Sequence, residues 1–163
     1  SIAAPQADAY GYVIRWQGIA SVKTVASLLK SGLRLRFTEM PFESNGQKFD
    51  RGSVIVIKNG NEKFGTSIWK IVETACRANG IAMNPVTSGM VDKGYDFGSS
   101  KVHPIVAPKI AMLTGEGVSS TSAGEIWHFM EKELQYPITL INANDFNRIK
   151  LSDIDVIVLP DGN

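Results

Sequence analysis

Hydrophobic positions recur along this chain with two periods, and the switches between them mark out its elements. Residues 10–16 (YGYVIRW) are aromatic and β-branched, which predicts a strand. Val22, Val25, Ala26 and Leu29 recur at helical spacing, predicting a helix over 22–30 with Ser21 as its N-cap and Gly32 as its stop. Leu33, Leu35 and Phe37 then alternate with Arg34, Arg36 and Thr38, the pattern of a strand with one buried face. Residues 42–49 centre on Asn45-Gly46, a pair that accepts positive φ at both turn positions and so predicts a β-hairpin. Val54–Ile57 (VIVI) is apolar throughout, as expected of a central strand covered on both faces. A helix from about Thr66 to Ala78, closed by Asn79-Gly80, and a strand over 81–86 complete this half of the chain.

Residues 87–104 lack a clear period and are rich in Gly, Ser and Asp. A stretch this long is usually functional or a connector between lobes. Beyond it the pattern becomes β-α-β: strand 109–113, helix 123–135, strand 138–141, a short connection over 145–151, and strand 155–159. Such alternation implies a parallel sheet with right-handed crossovers. The expected organisation is therefore a mixed α/β lobe containing the hairpin over 1–105, followed by a parallel α/β sheet over 106–163.

Composition narrows the function classes. A chain of 163 residues can bury one sizeable core or two small ones, and 44% apolar with 20% charged residues is ordinary for a soluble globular domain. The net charge is +1 with Lys and Arg scattered, whereas a nucleic-acid binder would carry a basic stripe, so nucleic acid is not an expected partner. No run reaches the ~18 apolar residues of a membrane span, and no signal peptide is visible. Cys76 is the only cysteine, which excludes an internal disulfide and a cysteine-based zinc site. It falls within a helical apolar pattern and reads as a small buried thiol. The chain opens at Ser1 without a Met and stops just after the apolar run 156–159, so it is expected to be part of a longer protein.

The stretch 109–125 (KIAMLTGEGVSSTSAGE) concentrates the candidate chemistry. An apolar strand enters a Gly/Ser loop that feeds a helix beginning near Ala123, and backbone N–H groups gather at such a place. The candidate ligand-binding residues are Gly115, Glu116, Gly117, Ser119 and Ser120. Gly115 through Ser120 reads G-x-G-x-x-S, which lacks the third glycine of the dinucleotide fingerprint. Glu116 puts a negative charge where a pyrophosphate would sit, and Asn142-Ala143-Asn144 stands where a ribose-binding acid is expected. The plainer reading is a tight turn in which Ser119, Ser120 or Ser122 helps cap the helix.

Other constellations are incomplete. Gly117-Val118-Ser119 begins a nucleophile elbow, but position 121 is Thr where the elbow needs Gly. Cys76, between Ala75 and Arg77, does not fit the elbow of a class I amidotransferase. His128 and Glu131 spell H-x-x-E, half of a zinc carboxypeptidase motif, yet a third ligand is missing and the only other histidine is His103. Ala123, Ile126, Trp127, Met130 and Leu134 form the apolar stripe of that helix, so His128, Glu131 and Gln135 read as its solvated face. Asp92, Asp96 and Asp145 read as turn residues.

Five stretches together carry a resemblance: residues 10–18, 41–57 (PFESNGQKFDRGSVIVI), 92–100 (DKGYDFGSS), 109–134 and 155–162 (DVIVLPDG). In order and spacing they resemble the C-terminal region of large exported bacterial zinc carboxypeptidase-like proteins, and they span nearly the whole chain. The resemblance implies a class I glutamine amidotransferase-like, flavodoxin-like parallel sheet, present in part over 106–163. It places zinc in a separate N-terminal peptidase domain, with no cofactor or catalytic residue in this segment. Leu159-Pro160-Asp161-Gly162 stands where amidotransferases carry a Pro-Gly-Gly strand end, and a nucleophile elbow would follow Asn163. The resemblance thus implies a non-catalytic accessory region of an exported protein, partnered by its own peptidase domain and by peptide or cell-wall substrate. Two alternatives stay open: a small-ligand module using the loop from Gly115 to Ser122, and part of an amidotransferase-like enzyme with its nucleophile further along.

Overall fold

The computed structural model describes residues 8–162. It divides into two compact units, Ser1–Val106 and Ala107–Asn163.

The first unit is built on an antiparallel sheet of five strands: β1 (Gly11–Ile14), β2 (Leu35–Thr38), β5 (Val54–Ile57), β6 (Asn84–Val86) and β7 (Val102–Ile105). Their order is β6-β1-β5-β2-β7, which puts the VIVI strand at the centre with all four of its residues buried. The register explains how that run is covered twice. Tyr12, Ile14, Val54, Val56 and Leu35 face helices α1 (Ile19–Lys30) and α2 (Ile68–Ala78) through Val25, Leu28, Ile68, Trp69 and Val72. Val13, Ile55, Ile57, Val86 and Val102 face the other way, onto Phe42, Phe49 and Phe97. Phe42 and Phe49 come from the hairpin of β3 (Phe42–Ser44) and β4 (Gln47–Phe49). Asn45 and Gly46 both take positive φ at its turn, 50° and 70°, as their sequence predicts.

Three local readings change. Ser21 lies inside α1 rather than capping it; its hydroxyl accepts from Gln17 N at 2.7 Å and donates to the Arg15 carbonyl at 2.9 Å, tying β1 to the helix. The strand over 81–86 pairs only from Asn84, because Ile81 and Met83 are drawn into the core beside the helices. Phe37, expected on a buried face, is partly exposed, its ring tilted against that of His103 on the edge strand β7 at 5.3 Å between centroids. The irregular 87–101 stretch lays Phe97 on the second face of the sheet, and its Lys93 carbonyl accepts from Glu43 N at 2.8 Å.

The second unit is a parallel three-stranded sheet, with β8 (Ile110–Thr114) between β9 (Thr139–Asn142) and β10 (Val156–Val158). Helix α3 spans Ser120–His128 and opens three residues earlier than the apolar pattern suggests, because Ser119 caps it. It ends in a single π-turn over Phe129–Glu133 in which Leu134 N donates to the Phe129 carbonyl. Ala111, Met112, Ala123 and Ile141 are the buried apolar residues of this unit. The fold is therefore mixed α/β, an antiparallel sheet followed by a small parallel one. No helix among the described residues is long and apolar enough to cross a membrane.

Candidate functional site

The glycine loop leaves the carboxyl end of β8, the central strand of its sheet. The chain goes from β8 through α3 to β9 on one side, then crosses to β10 on the other. The carboxyl ends of β8 and β10 thus flank a point where strand order reverses, the usual location of a ligand crevice in an open α/β sheet.

The residues there are largely engaged with one another. Gly115 has φ +97°, and a Cβ at this position would lie 2.9 Å from the Asn142 amide nitrogen at the end of β9. Gly117 has φ +79° with open space around it. Val118 N donates to the Gly115 carbonyl at 3.1 Å, and Ser119 N to the Asp161 carbonyl at 2.8 Å. Val118 and Gly162 form a β-bridge. The Ser119 side chain accepts from Ser122 N at 3.3 Å, and Ala123 N begins the helical ladder on the Ser119 carbonyl at 3.0 Å. The amides of Val118, Ser119, Ser122 and Ala123 are therefore taken.

Of the five candidate residues, the structure gives Gly115, Gly117 and Ser119 backbone and capping roles, while Glu116 and Ser120 are exposed. An anion arriving at this helix end would meet the Glu116 carboxylate, with the Val118, Ser119 and Ser122 amides already engaged. The sequence placed Asn142 and Asp161 at neighbouring strand ends, but not the Asp161 carbonyl on Ser119 N or the close approach of Asn142 to Gly115. Their signal was present in the parallel pattern, since strands on either side of β8 must end beside its loop.

The remaining candidate groups serve structure or belong to different units. His128 is exposed on α3, while a Glu131 carboxylate oxygen accepts from Ile138 N at 3.2 Å and holds the approach to β9. His103 lies in the first unit, where its Nε2 is 2.9 Å from a Glu39 carboxylate oxygen. Hydrogen bonding first from His103 and then from Lys101 holds Glu39 below the usual carboxylate range. That exposed trio brings residues about sixty positions apart to neighbouring strands, and only the β2–β7 pairing could have revealed it. Asp92 accepts from Gly46 N, Asp96 accepts from Val91 N, and Asp145 pairs with Arg148, so each serves a turn. Cys76 is fully buried in α2, and burial pushes its thiol up to about 12. A thiol so rarely ionised is a poor nucleophile. No group of three or more His, Cys, Asp or Glu among the described residues could hold a metal ion, and the H-x-x-E pair does not fit a zinc site.

Comparison with family models, with curated proteins and with solved structures gave no match to this chain.

Proposed function

We propose that the chain is a non-catalytic accessory region of an exported zinc carboxypeptidase-like protein, holding peptide or cell-wall substrate for a peptidase domain elsewhere in that protein. The observation that carries this reading is the closure of the loop from Gly115 to Ser122. Three of its amides are engaged, Ser119 N on Asp161, Val118 N within the turn and Ser122 N on the cap, which favours reading the switch point as a joint between strand ends. The buried thiol of Cys76 and the engaged Glu131 support the same reading, because the groups that could have carried chemistry serve packing and turns.

The finer fold proposal is an amidotransferase-like, flavodoxin-like sheet. Numbered within its own unit, the second sheet runs 3-1-2, which read from the other edge is the 2-1-3 opening of the flavodoxin order. The alternative of a small-ligand module at the loop has the switch point in its favour and the three engaged amides against it.

The test is co-sedimentation of the purified chain with cell-wall peptidoglycan, alongside a peptidase assay with added zinc. Saturable co-sedimentation without hydrolysis is the expected result. Failure to bind both peptidoglycan and soluble peptides, or hydrolysis by the chain alone, overturns the reading. So does stoichiometric zinc that is lost on His128→Ala.

A further inference from the structure

Asparagine is followed by glycine three times in the chain, at Asn45-Gly46, Asn59-Gly60 and Asn79-Gly80. Besides its use in turns, the pair has a chemistry of its own. Glycine has no Cβ, so its backbone nitrogen can approach the Cγ of the preceding asparagine unhindered, and asparagine is among the heat-labile residues. The three pairs share a sequence but differ in surroundings, and the difference decides which of them is free to react.

On the side of the attacking nitrogen they are alike. Gly46 N donates to an Asp92 carboxylate oxygen at 3.1 Å, Gly60 N to a Glu62 carboxylate oxygen at 2.8 Å, and Gly80 N to the Arg77 carbonyl at 3.3 Å. Each must release one hydrogen bond before it can attack.

The asparagine side chains are not alike. Asn45 Nδ2 donates to the Pro85 carbonyl at 3.3 Å, and its Oδ1 accepts from the Thr87 hydroxyl at 3.2 Å. Asn79 is half-buried, and its Nδ2 donates back along α2 to the Ala75 carbonyl at 3.0 Å. Asn59 is exposed, and its side chain has no hydrogen bond among the described residues. It lies in the turn after β5, closed by Asn61 N on the Lys58 carbonyl at 2.8 Å, with Gly60 at φ +84°. Of the three amide groups, this one alone can rotate onto the following nitrogen without breaking a bond of its own.

We propose that Asn59 is a site of covalent self-modification, by deamidation through a cyclic imide. The Gly60 nitrogen loses its proton to hydroxide and bonds to Asn59 Cγ, and the side-chain nitrogen leaves as ammonia. Water then opens the ring at either carbonyl, giving aspartate or isoaspartate. Water is the only co-reactant, and nothing is oxidised or reduced. The product carries an added negative charge two residues from the Glu62 bond. In the isoaspartate form the main chain runs through the former side chain and is longer by a methylene. That lengthening falls between the central strand β5 and Asn61, a buried residue that clasps two strands. Its side chain accepts from Arg34 N at 2.8 Å and donates to the Arg34 and Ile57 carbonyls at 2.9 Å each. The modification therefore loosens the clasp between the end of β5 and the start of β2. It does not rest on the reading proposed for the second unit.

The folded chain is aged in mildly alkaline buffer and followed by peptide mass mapping, with a urea-unfolded sample as the second arm. In the folded chain Asn59 is expected to convert roughly tenfold faster than Asn45 or Asn79, the upper range of what one neutral hydrogen bond is worth. In urea the three should convert at similar rates, since the fold alone distinguishes them. Asn59→Gln, a change at an exposed turn, should abolish the first acidic species seen on isoelectric focusing. Equal rates in the folded chain, faster conversion at Asn45 or Asn79, or the same ranking in urea overturns the proposal.

Discussion

Ser119 donates its backbone N–H to the carbonyl of Asp161 at 2.8 Å, joining the loop after β8 to the strand end after β10. The bond spans two elements that the sequence separates by a helix, a strand and two short turns. It converts what reads as an open anion site into a joint, and the predictions for the second unit follow from it.

Gly115 and Gly117 should respond differently to the same substitution. Both hold positive φ, so alanine costs about 1–2 kcal/mol of backbone strain at either position. At Gly115 the added Cβ also meets the Asn142 amide at 2.9 Å, whereas Gly117 has open space. Urea unfolding should find Gly115→Ala the more destabilising, and Asn142→Ala should recover part of the difference. Equal losses would contradict the close approach.

Cys76 should resist thiol reagents in the folded chain at pH 8. Its thiol is fully buried and raised to about 12, so labelling requires opening of the core around α2. The labelling rate should therefore rise with urea along the unfolding curve. Prompt labelling in native buffer would contradict the burial.

Ser21→Ala should destabilise the chain by about 2 kcal/mol, because it strips a partner from both Gln17 N and the Arg15 carbonyl at a fully buried position. Thermal unfolding measures it. A neutral effect would show that the hydroxyl does not tie the strand to the helix.

Glu73 should contribute stability that disappears in acid. Arg77, at 2.6 Å, and then Lys70, at 3.3 Å, hold its carboxyl below the ordinary 4.5. A depressed carboxyl stabilises the fold above the unfolded value and loses that contribution as pH falls through the folded one. Glu73→Gln should thus lower stability at pH 7 and leave it unchanged well below pH 4. A difference that persists in strong acid would assign the effect to packing.

Legibility varied with the range of the forces involved. The Asn45-Gly46 turn and the doubly covered Val54–Ile57 strand were readable because each depends on local conformation or on an unbroken apolar run. Ser21 was misread because a hydroxyl before an apolar stripe is equally able to cap a helix or to bridge back to a strand. The irregular 87–101 stretch gave no sign that Phe97 anchors it, since a lone aromatic residue has no period. At the loop, the glycines were readable from their need for positive φ, yet whether its amides were open depended on Asp161, more than forty residues away. The indole N–H of Trp69, buried without a partner, went unread for a similar reason: it becomes visible only once every neighbour is in place.

The most direct test of the central claim is amide hydrogen exchange at Ser119. If the loop is a closed joint, this amide exchanges far more slowly than an unstructured serine, with protection approaching that of the β8 amides. Exchange near the unprotected rate would contradict the account, because the amide would then be open to a ligand.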